Sequence, residues 1–567
     1  MDKRQVAAAL DEIAVLMELA GENPFKTRSY TAGARTIEQL DADQLDTLVR
    51  EKRLRELAGI GQALEQKIEE LVTTGRLQFL EDLRAQFPAS LYEMHGIPGL
   101  GPKRIKQVFK ELGIDSLAKL EAACRTGELL ALKGFSEKLQ EKILSGIAQI
   151  HEHVGQHLYN KAHAAAQELL AYLRESPAVG RIELAGSLRR KREVVKDIDI
   201  VVASADPAAV MQRFVDAPTV RTVTGRGDTK SSVILNIGIA ADLRVVSEEQ
   251  FPYALAHFTG NKDHNVVLRQ RAKDRKLKLN EYGLFDEEGV NRLCVDETAV
   301  YEVLGLPFIQ PELRENCGEF ETERLPALIN ADDLRGIVHC HSTYSDGKHT
   351  LEEMALAAAG LGYTYLALTD HSQTAAYAGG LRLEQVLEQQ AEIDAYNKKN
   401  PKFRVLKGIE SDIRSNGDLD YEEDVLKSFD LIVASVHSQL DMKEKEATAR
   451  IVRAVENLHT TILGHPTGRL LLSRAGLTLD VEKIFDACIA NRVAIEINGN
   501  PRRLDLDWRH VIRGKQKGVM FCLGPDAHSV ETLNNVHYAV GIARKGWLEK
   551  DDVLNTKGWK ELLAWRR

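Results

Sequence analysis

Residues 181–203 read RIELAGSLRRKREVVKDIDIVVA: two apolar runs, IELA and IDIVVA, separated by a glycine-serine turn and a basic segment. Both runs are short, rich in Ile, Leu and Val, and bounded by Gly, Ser and Asp, which predicts β-strands. Asp197-Ile198-Asp199 opens the second run. Alternate residues of a strand share a face, so the two carboxylates are expected to project together. Carboxylates held that close resist joint ionisation unless a cation lies between them. Asp242, in the run NIGIAADLRVV, is expected at the end of another strand as a third acid. Three such acids can hold two Mg²⁺ or Mn²⁺ ions about 3.5–4 Å apart, the arrangement of two-metal phosphoryl transfer. Gly186 is expected to let the backbone approach a phosphate, and Ser187 and Arg190 to grip a triphosphate.

Downstream, from residue 334, apolar runs alternate with helix-patterned segments: GIVHCH, YTYLALTDH, FRVLKGIE, DLIVASVH, TTILGH, RVAIEIN and VMFCLGPDAH. Seven β-α units in one stretch predict a parallel, barrel-like sheet. Nearly every run ends in a potential metal ligand: His339 and His341, then His371, Glu410, His437, His465, and Asp526 with His528; Asp346 lies in the following YSDG loop. His339 and His341 are expected to share a face, with Cys340 pointing away. In a parallel barrel the C-terminal strand ends converge on one rim. Histidine and carboxylate ligands without thiolate suit Zn²⁺ or Mn²⁺, and nine ligands suit three ions. Asp370 is a candidate for orienting a ligand, and Arg469, Asn498 and Arg502 are candidates for contacting substrate phosphate.

Upstream, residues 1–150 are helix-patterned and carry a weak repeat: LAGIGQALEQKIEEL (57–71), IPGLGPKRIKQVF (97–109) and LKGFSEKLQEKIL (132–144). Gly59 and Gly61, and again Gly99 and Gly101, make turns that expose backbone N–H groups at a helix start, a sequence-independent site for backbone phosphate.

At 567 residues the chain is too long for one core and predicts three or four domains. No apolar run reaches the ~18 residues of a spanning helix, so no membrane partner is expected. Six cysteines without paired spacing argue against a disulfide framework and for a reducing cytoplasm. The net charge is −9, but 181–197 and 269–278 are locally basic, and local patches are what touch phosphate.

The G-S-x-R-R segment followed by D-x-D resembles the nucleotidyltransferase palm of family X DNA polymerases, and HFTGNKDHN (257–265) resembles their thumb-side nucleotide pocket. The resemblance implies that Asp197, Asp199 and Asp242 are the metal-binding catalytic acids and that Gly186, Ser187 and Arg190 hold the triphosphate. It implies that Phe258 and Gly260 face sugar and base, with His257 in place of the usual Tyr. Asn265 and Arg269 would contact the minor-groove side of the nascent pair. The glycine repeats resemble helix-hairpin-helix modules. Lys67 falls where some members place a Schiff-base lysine, and Lys26 where a 5′-phosphate contact is expected; Ala63 replaces a neighbouring lysine. The C-terminal pattern resembles the polymerase and histidinol phosphatase (PHP) superfamily. By that resemblance His339, His341, Glu410 and Asp526 hold one metal, Glu410, His437 and His465 a second, and Asp346, His371 and His528 a third.

The implied architecture is multidomain, α and α/β. An N-terminal helical DNA-binding domain occupies 1–85, helix-hairpin-helix fingers 86–150, an α+β palm 151–250 and a thumb-like domain 251–316. A linker covers 317–333 and a seven-stranded PHP barrel 334–567. The expected protein is a cytoplasmic, nucleoid-associated monomer. It fills short gaps in nicked or gapped duplex DNA with dNTPs and cleaves DNA phosphodiesters 3′→5′. The alternatives are a polymerase-like DNA-binding scaffold and a phosphatase acting on small phosphate monoesters.

Overall fold

The computed structural model describes residues 3–38, 40, 44–57 and 59–565. The chain divides into two compact units, Met1–Val154 and Gly155–Arg567.

The first unit is helical. Helix α1 (Lys3–Ala20) buries Val6, Leu10, Ile13 and Met17, the 3–4 residue spacing of an amphipathic helix. Helices α2 (Gln62–Thr74), α3 (Pro102–Leu112) and α4 (Glu137–His153) are the second helices of three hairpins. Their N-caps are Gly61, Gly101 and Ser136, and each cap follows by two residues a glycine of positive φ: Gly59 (+83°), Gly99 (+91°) and Gly134 (+88°). The third repeat differs chemically, since the Ser136 hydroxyl accepts from Leu139 N and itself satisfies a helix-start donor. Ala58, inside the first repeat, lies outside the described residues.

The second unit opens with helix α5 (Tyr159–Arg174) packed on a five-stranded sheet. Its strands are β1 (Ile182–Leu184), β2 (Asp197–Ala203), β3 (Val220–Arg226), β4 (Lys230–Leu235) and β5 (Ala240–Val246), in spatial order β1-β2-β5-β4-β3. Only β2 and β5 run parallel, and their register sets Asp199 opposite Asp242. Asp242 is the third residue of β5 rather than the end of a strand. The NIG segment expected within that strand is instead a turn, because Gly238 at φ +88° reverses the chain and Leu235 N bonds Ile239 O. Helices α6 (Phe251–Thr259) and α7 (Lys262–Asp274) follow.

The seven C-terminal strands form one sheet in sequence order: β6 (Gly336–Cys340), β7 (Tyr365–Leu368), β8 (Arg404–Asp412), β9 (Leu431–Ser435), β10 (Ile462–Leu463), β11 (Ala494–Asn498) and β12 (Phe521–Gly524). All neighbours are parallel, and the barrel nearly closes where Cys340 bridges Ala527. Every residue of β6, β7, β9, β11 and β12 is buried, which explains why these strands read as continuous apolar runs.

The barrel packs against the palm and the thumb-like segment. Helices α8 (Trp508–Lys517) and α9 (Val536–Lys545) of the barrel contribute to this packing. Arg509 pairs with Glu193 at 3.1 Å, Arg544 pairs with Glu312 at 2.8 Å, and Tyr538 stands edge-on to Tyr159. The stretch expected as a linker is itself pinned to the barrel: Ile329 N bonds Leu548 O and Ala327 N bonds Glu549.

Candidate metal centre and nucleotidyltransfer site

All nine barrel residues singled out by the sequence come together at the rim. Glu410, fully buried on β8, is the hub. Its Oε1 lies 3.3 Å from His339 Nε2, 3.3 Å from His437 Nε2 and 3.0 Å from His465 Nε2; its Oε2 lies 2.9 Å from His371 Nδ1. Four overlapping sets have ligand atoms within 4.8 Å of one another: His341-Asp346-His371-His528, His339-Glu410-His465, His339-His341-Asp526 and His371-Glu410-His437. This grouping departs from the partition the resemblance implied. His465 joins His339, His371 joins His437, and His341 also stands with Asp346 and His528. Cys340 does point away, its thiol donating to Ala367 O at 3.3 Å.

The residues fit bound metal. His339 Nε2, His341 Nδ1 and Nε2, His371 Nδ1, His465 Nδ1 and Glu410 Oε2 are buried without a hydrogen bond among the described residues, the short Glu410 contacts to His339 and His371 being close approaches rather than aligned hydrogen bonds. Orphaned buried polar atoms are costly, and here they converge. Burial and the His528 and His371 imidazoles push His341 down to about 3, leaving it neutral as a ligand must be. Burial alone would raise Glu410, yet His437, His339 and His371 hold it well below the usual carboxylate range.

A supporting layer escaped the sequence reading. Glu496 on β11 accepts from His339 Nδ1 at 2.5 Å and from His465 N at 2.7 Å. Asp412, two residues beyond Glu410, meets His437 Nδ1 at 2.5 Å. Both fix the ring so that Nε2 faces the centre. The E-S-D spacing on β8 was the one available signal. Asp370 does not touch a ligand ring; it is buried and binds the backbone and hydroxyls of Ser342 and Ser345, setting the loop that carries Asp346. Arg469 is spent on Asp507 and the Arg503 and Leu504 carbonyls. Asn498 donates to Glu496 and Asp526. Arg502 is exposed, and its neighbour Arg503 is the cation at the centre, 3.4 Å from Asp526. The centre opens through Asp346 and His528, about one-third exposed, beneath Tyr377, which is 71% exposed with its ring 6.1 Å from His371.

In the palm, Asp197 and Asp199 on β2 and Asp242 on β5 share a face. Burial, then Asp197 and Asp242, raise Asp199 to about 7, and Asp197 is raised by burial and Asp242. Lys230, on β4, puts Nζ 2.6 Å from Asp242 Oδ2, a neighbour the sequence did not flag. Neighbouring carboxylates that raise one another's affinity for protons, as at Asp197 and Asp199, suit divalent cations. Its ligand atoms are less tightly gathered than the barrel's. Gly186 has φ +60°, and a Cβ there would overlap the Asp199 carboxylate, so the glycine clears room for the acid itself. Arg190 Nε bonds Glu315 at 3.1 Å, and its Nη1 donates to Thr259 O. Gly260 lies against Arg190, Phe258 lies under the Arg244 guanidinium at 4.1 Å, and Asn265 Nδ2 donates to His257 O at 2.7 Å. Arg269 is exposed on α7, Ser187 is half-buried, and burial lowers His257.

In the helical unit, Lys67 lies on α2 with Nζ 4.7 Å above the Phe79 ring, and Lys26 is exposed, 3.9 Å from Glu22.

Four family models match in the same order along the chain. Residues 1–77 match a helix-hairpin-helix domain and 91–149 a SAM-like helix-hairpin-helix tandem. Residues 254–315 match the DNA polymerase beta thumb and 338–500 the PHP domain. A Bacillus subtilis protein named DNA polymerase/3'-5' exonuclease PolX is 39% identical over 100% of this chain and 99% of its own length. A protein of Vibrio parahaemolyticus named as a probable phosphatase is 26% identical over 38% of this chain and 88% of its own length. DNA polymerase lambda of Arabidopsis thaliana is 25% identical over 46% of this chain and 53% of its own length. With a palm triad, a polymerase thumb and a seven-stranded PHP barrel in one continuous chain, this protein belongs to the family X DNA polymerases that carry a C-terminal PHP domain.

Proposed function

We propose that the chain is a DNA polymerase that fills short gaps with dNTPs and a 3′→5′ exonuclease that works from the barrel. The observation that carries this reading is the presence of two separate ligand clusters, the acidic Asp197-Asp199-Asp242 and the histidine-rich nine-residue rim, on one chain. Mg²⁺ or Mn²⁺ held by Asp197, Asp199 and Asp242, and three Zn²⁺ or Mn²⁺ ions held by the nine rim residues, would neutralise charge at phosphorus and, in the barrel, acidify water.

The protein's own groups do the rest. Arg190 spends Nε and one Nη1 hydrogen on Glu315 and Thr259, leaving Nη2 for the triphosphate beside Ser187. Phe258 and Gly260 line the sugar side, with His257 at the edge. Asn265 and Arg269 face the minor groove. At the rim the mouth beside Asp346 and His528 admits the phosphodiester, Arg503 offsets its charge, and Tyr377 stacks on the terminal base. The Gly59-Gly61 and Gly99-Gly101 hairpins and Lys26 grip the backbone of gapped or nicked duplex. Lys67 is the candidate Schiff-base lysine, and borohydride trapping on a 5′-deoxyribose phosphate tests it.

The test is a 5′-labelled primer on a one-nucleotide gap with Mn²⁺, with and without dNTPs. Asp197→Ala should abolish extension and keep shortening; His339→Ala should do the reverse. Loss of both activities in either variant would contradict two separate sites. Turnover of a free phosphate monoester with no shortening of DNA would favour a phosphatase barrel.

A further inference from the structure

Lys545, the last residue of α9, belongs to the barrel by sequence, yet its side chain is fully buried and its ammonium points out of the barrel. It donates to Arg190 O at 3.0 Å, to Glu312 O at 3.4 Å and to the Glu315 carboxylate. An ammonium has three N–H donors, and all three go to the polymerase half. The barrel's own contribution is the Trp508 ring, whose centroid lies 4.7 Å from Nζ.

Glu315 is the junction. One oxygen takes Lys545 and Arg190 Nε; the other takes Asn261 Nδ2 at 3.1 Å and lies 3.6 Å from Arg192. Asn261 is the N-cap of α7, accepting from His264 N at 2.8 Å, and α7 carries Asn265 and Arg269. A single carboxylate therefore fixes the arginine on one side of the nucleotide pocket and the start of the helix on the other. Lys545 fixes that carboxylate.

We propose that Lys545 is a positioning residue for the polymerase reaction: acting through Glu315, it holds Arg190 and the α7 start where an incoming nucleotide triphosphate needs them. The PHP barrel thus completes the polymerase pocket with a residue that takes no part in the barrel's chemistry. This rests on the reading that Arg190 addresses the triphosphate.

The test uses the full-length protein and four variants: Lys545→Met, Glu315→Gln, the double variant and Arg190→Gln. Steady-state gap filling gives KM for dNTP, KM for gapped DNA and kcat; primer shortening without dNTP reports the barrel. Lys545→Met should raise the dNTP KM about tenfold, the loss of a hydrogen bond to a charged group. KM for DNA and the exonuclease rate should stay near those of the parent, which general unfolding would not allow. The double variant should fall well short of the sum of the two single effects, as expected of residues acting in one network. Additive effects, or a dNTP KM unchanged in Lys545→Met but raised in Arg190→Gln, would overturn the relay. An unchanged KM in Arg190→Gln would instead refute the triphosphate reading beneath it. If Lys545→Met loses the exonuclease too, Glu315→Gln decides: a parental dNTP KM there overturns the proposal, and a raised one supports it.

Discussion

Gly186→Ala puts the palm geometry to a quantitative test. The glycine sits at φ +60°, and an added Cβ overlaps the Asp199 carboxylate. Holding alanine in the left-handed region costs about 1–2 kcal/mol. If Asp199 stays in place, overpacking adds about 1–3 kcal/mol, so the variant should be less stable by about 2–5 kcal/mol. If Asp199 swings away, that second cost is relieved but a metal-binding acid is lost from its register opposite Asp242. Loss of such an aimed charge costs on the order of 100-fold in rate. On the second course gap filling falls steeply; on the first the melting temperature falls; on both, shortening from the 3′ end, whose residues lie in the barrel, continues. The assay is single-nucleotide gap filling beside exonuclease on the same preparation, with a thermal melt. Gap filling within about threefold of the parent, at unchanged melting temperature, would refute the argument that Gly186 is required to clear Asp199.

Three further outcomes are expected. Glu496→Gln weakens the hold on the His339 ring and should lower Mn²⁺ affinity of the barrel by about 10–100-fold, read by calorimetric titration, with gap filling unchanged. Asp199, raised to about 7, keeps its proton through the acid range and must release it to bind a cation. The Mg²⁺ affinity of the palm should therefore climb about tenfold per pH unit below 7 and level off above it, and a flat profile from pH 6 to 8 in a rate-versus-Mg²⁺ titration would count against this. Tyr377→Ala removes an exposed ring from the mouth of the rim and should raise the exonuclease KM for a single-stranded end, on the scale of about 1–3 kcal/mol for a lost base-aromatic stack, with kcat less affected.

The rim was legible because all its ligands but Asp346 fall at or near the end of an apolar strand, and a parallel barrel forces those ends together. The D-I-D pair was legible for the same kind of reason, a two-residue period. Glu496 and Asp412 were not, because an acid in a strand looks alike whether it meets solvent or an imidazole from another strand, and only the E-S-D spacing hinted at Asp412. Arg503 was hidden among neighbours of the same type: Arg502 and Arg503 are adjacent, and only the fold turns the second toward Asp526. The limits of β5 were misjudged because Ile237 and Ile239 are apolar, and hydrophobicity alone does not reveal that Gly238 reverses the chain between them. Lys545 reads as an ordinary basic residue at a helix C-terminus; its burial arises only when the barrel meets the palm.

That meeting bears on where the chain can be divided. The segment before residue 334 looks like the natural place to cut, yet a cut there leaves both pieces defective. The polymerase piece keeps Glu193, Glu312 and Glu315 without Arg509, Arg544 and Lys545, and bares the ring of Tyr159. The barrel piece exposes Trp508 and Tyr538 and a lysine with no acceptor. Within Gly155–Arg567 the polymerase segment and the barrel complete each other's faces, and either one expressed alone inherits an unfinished surface.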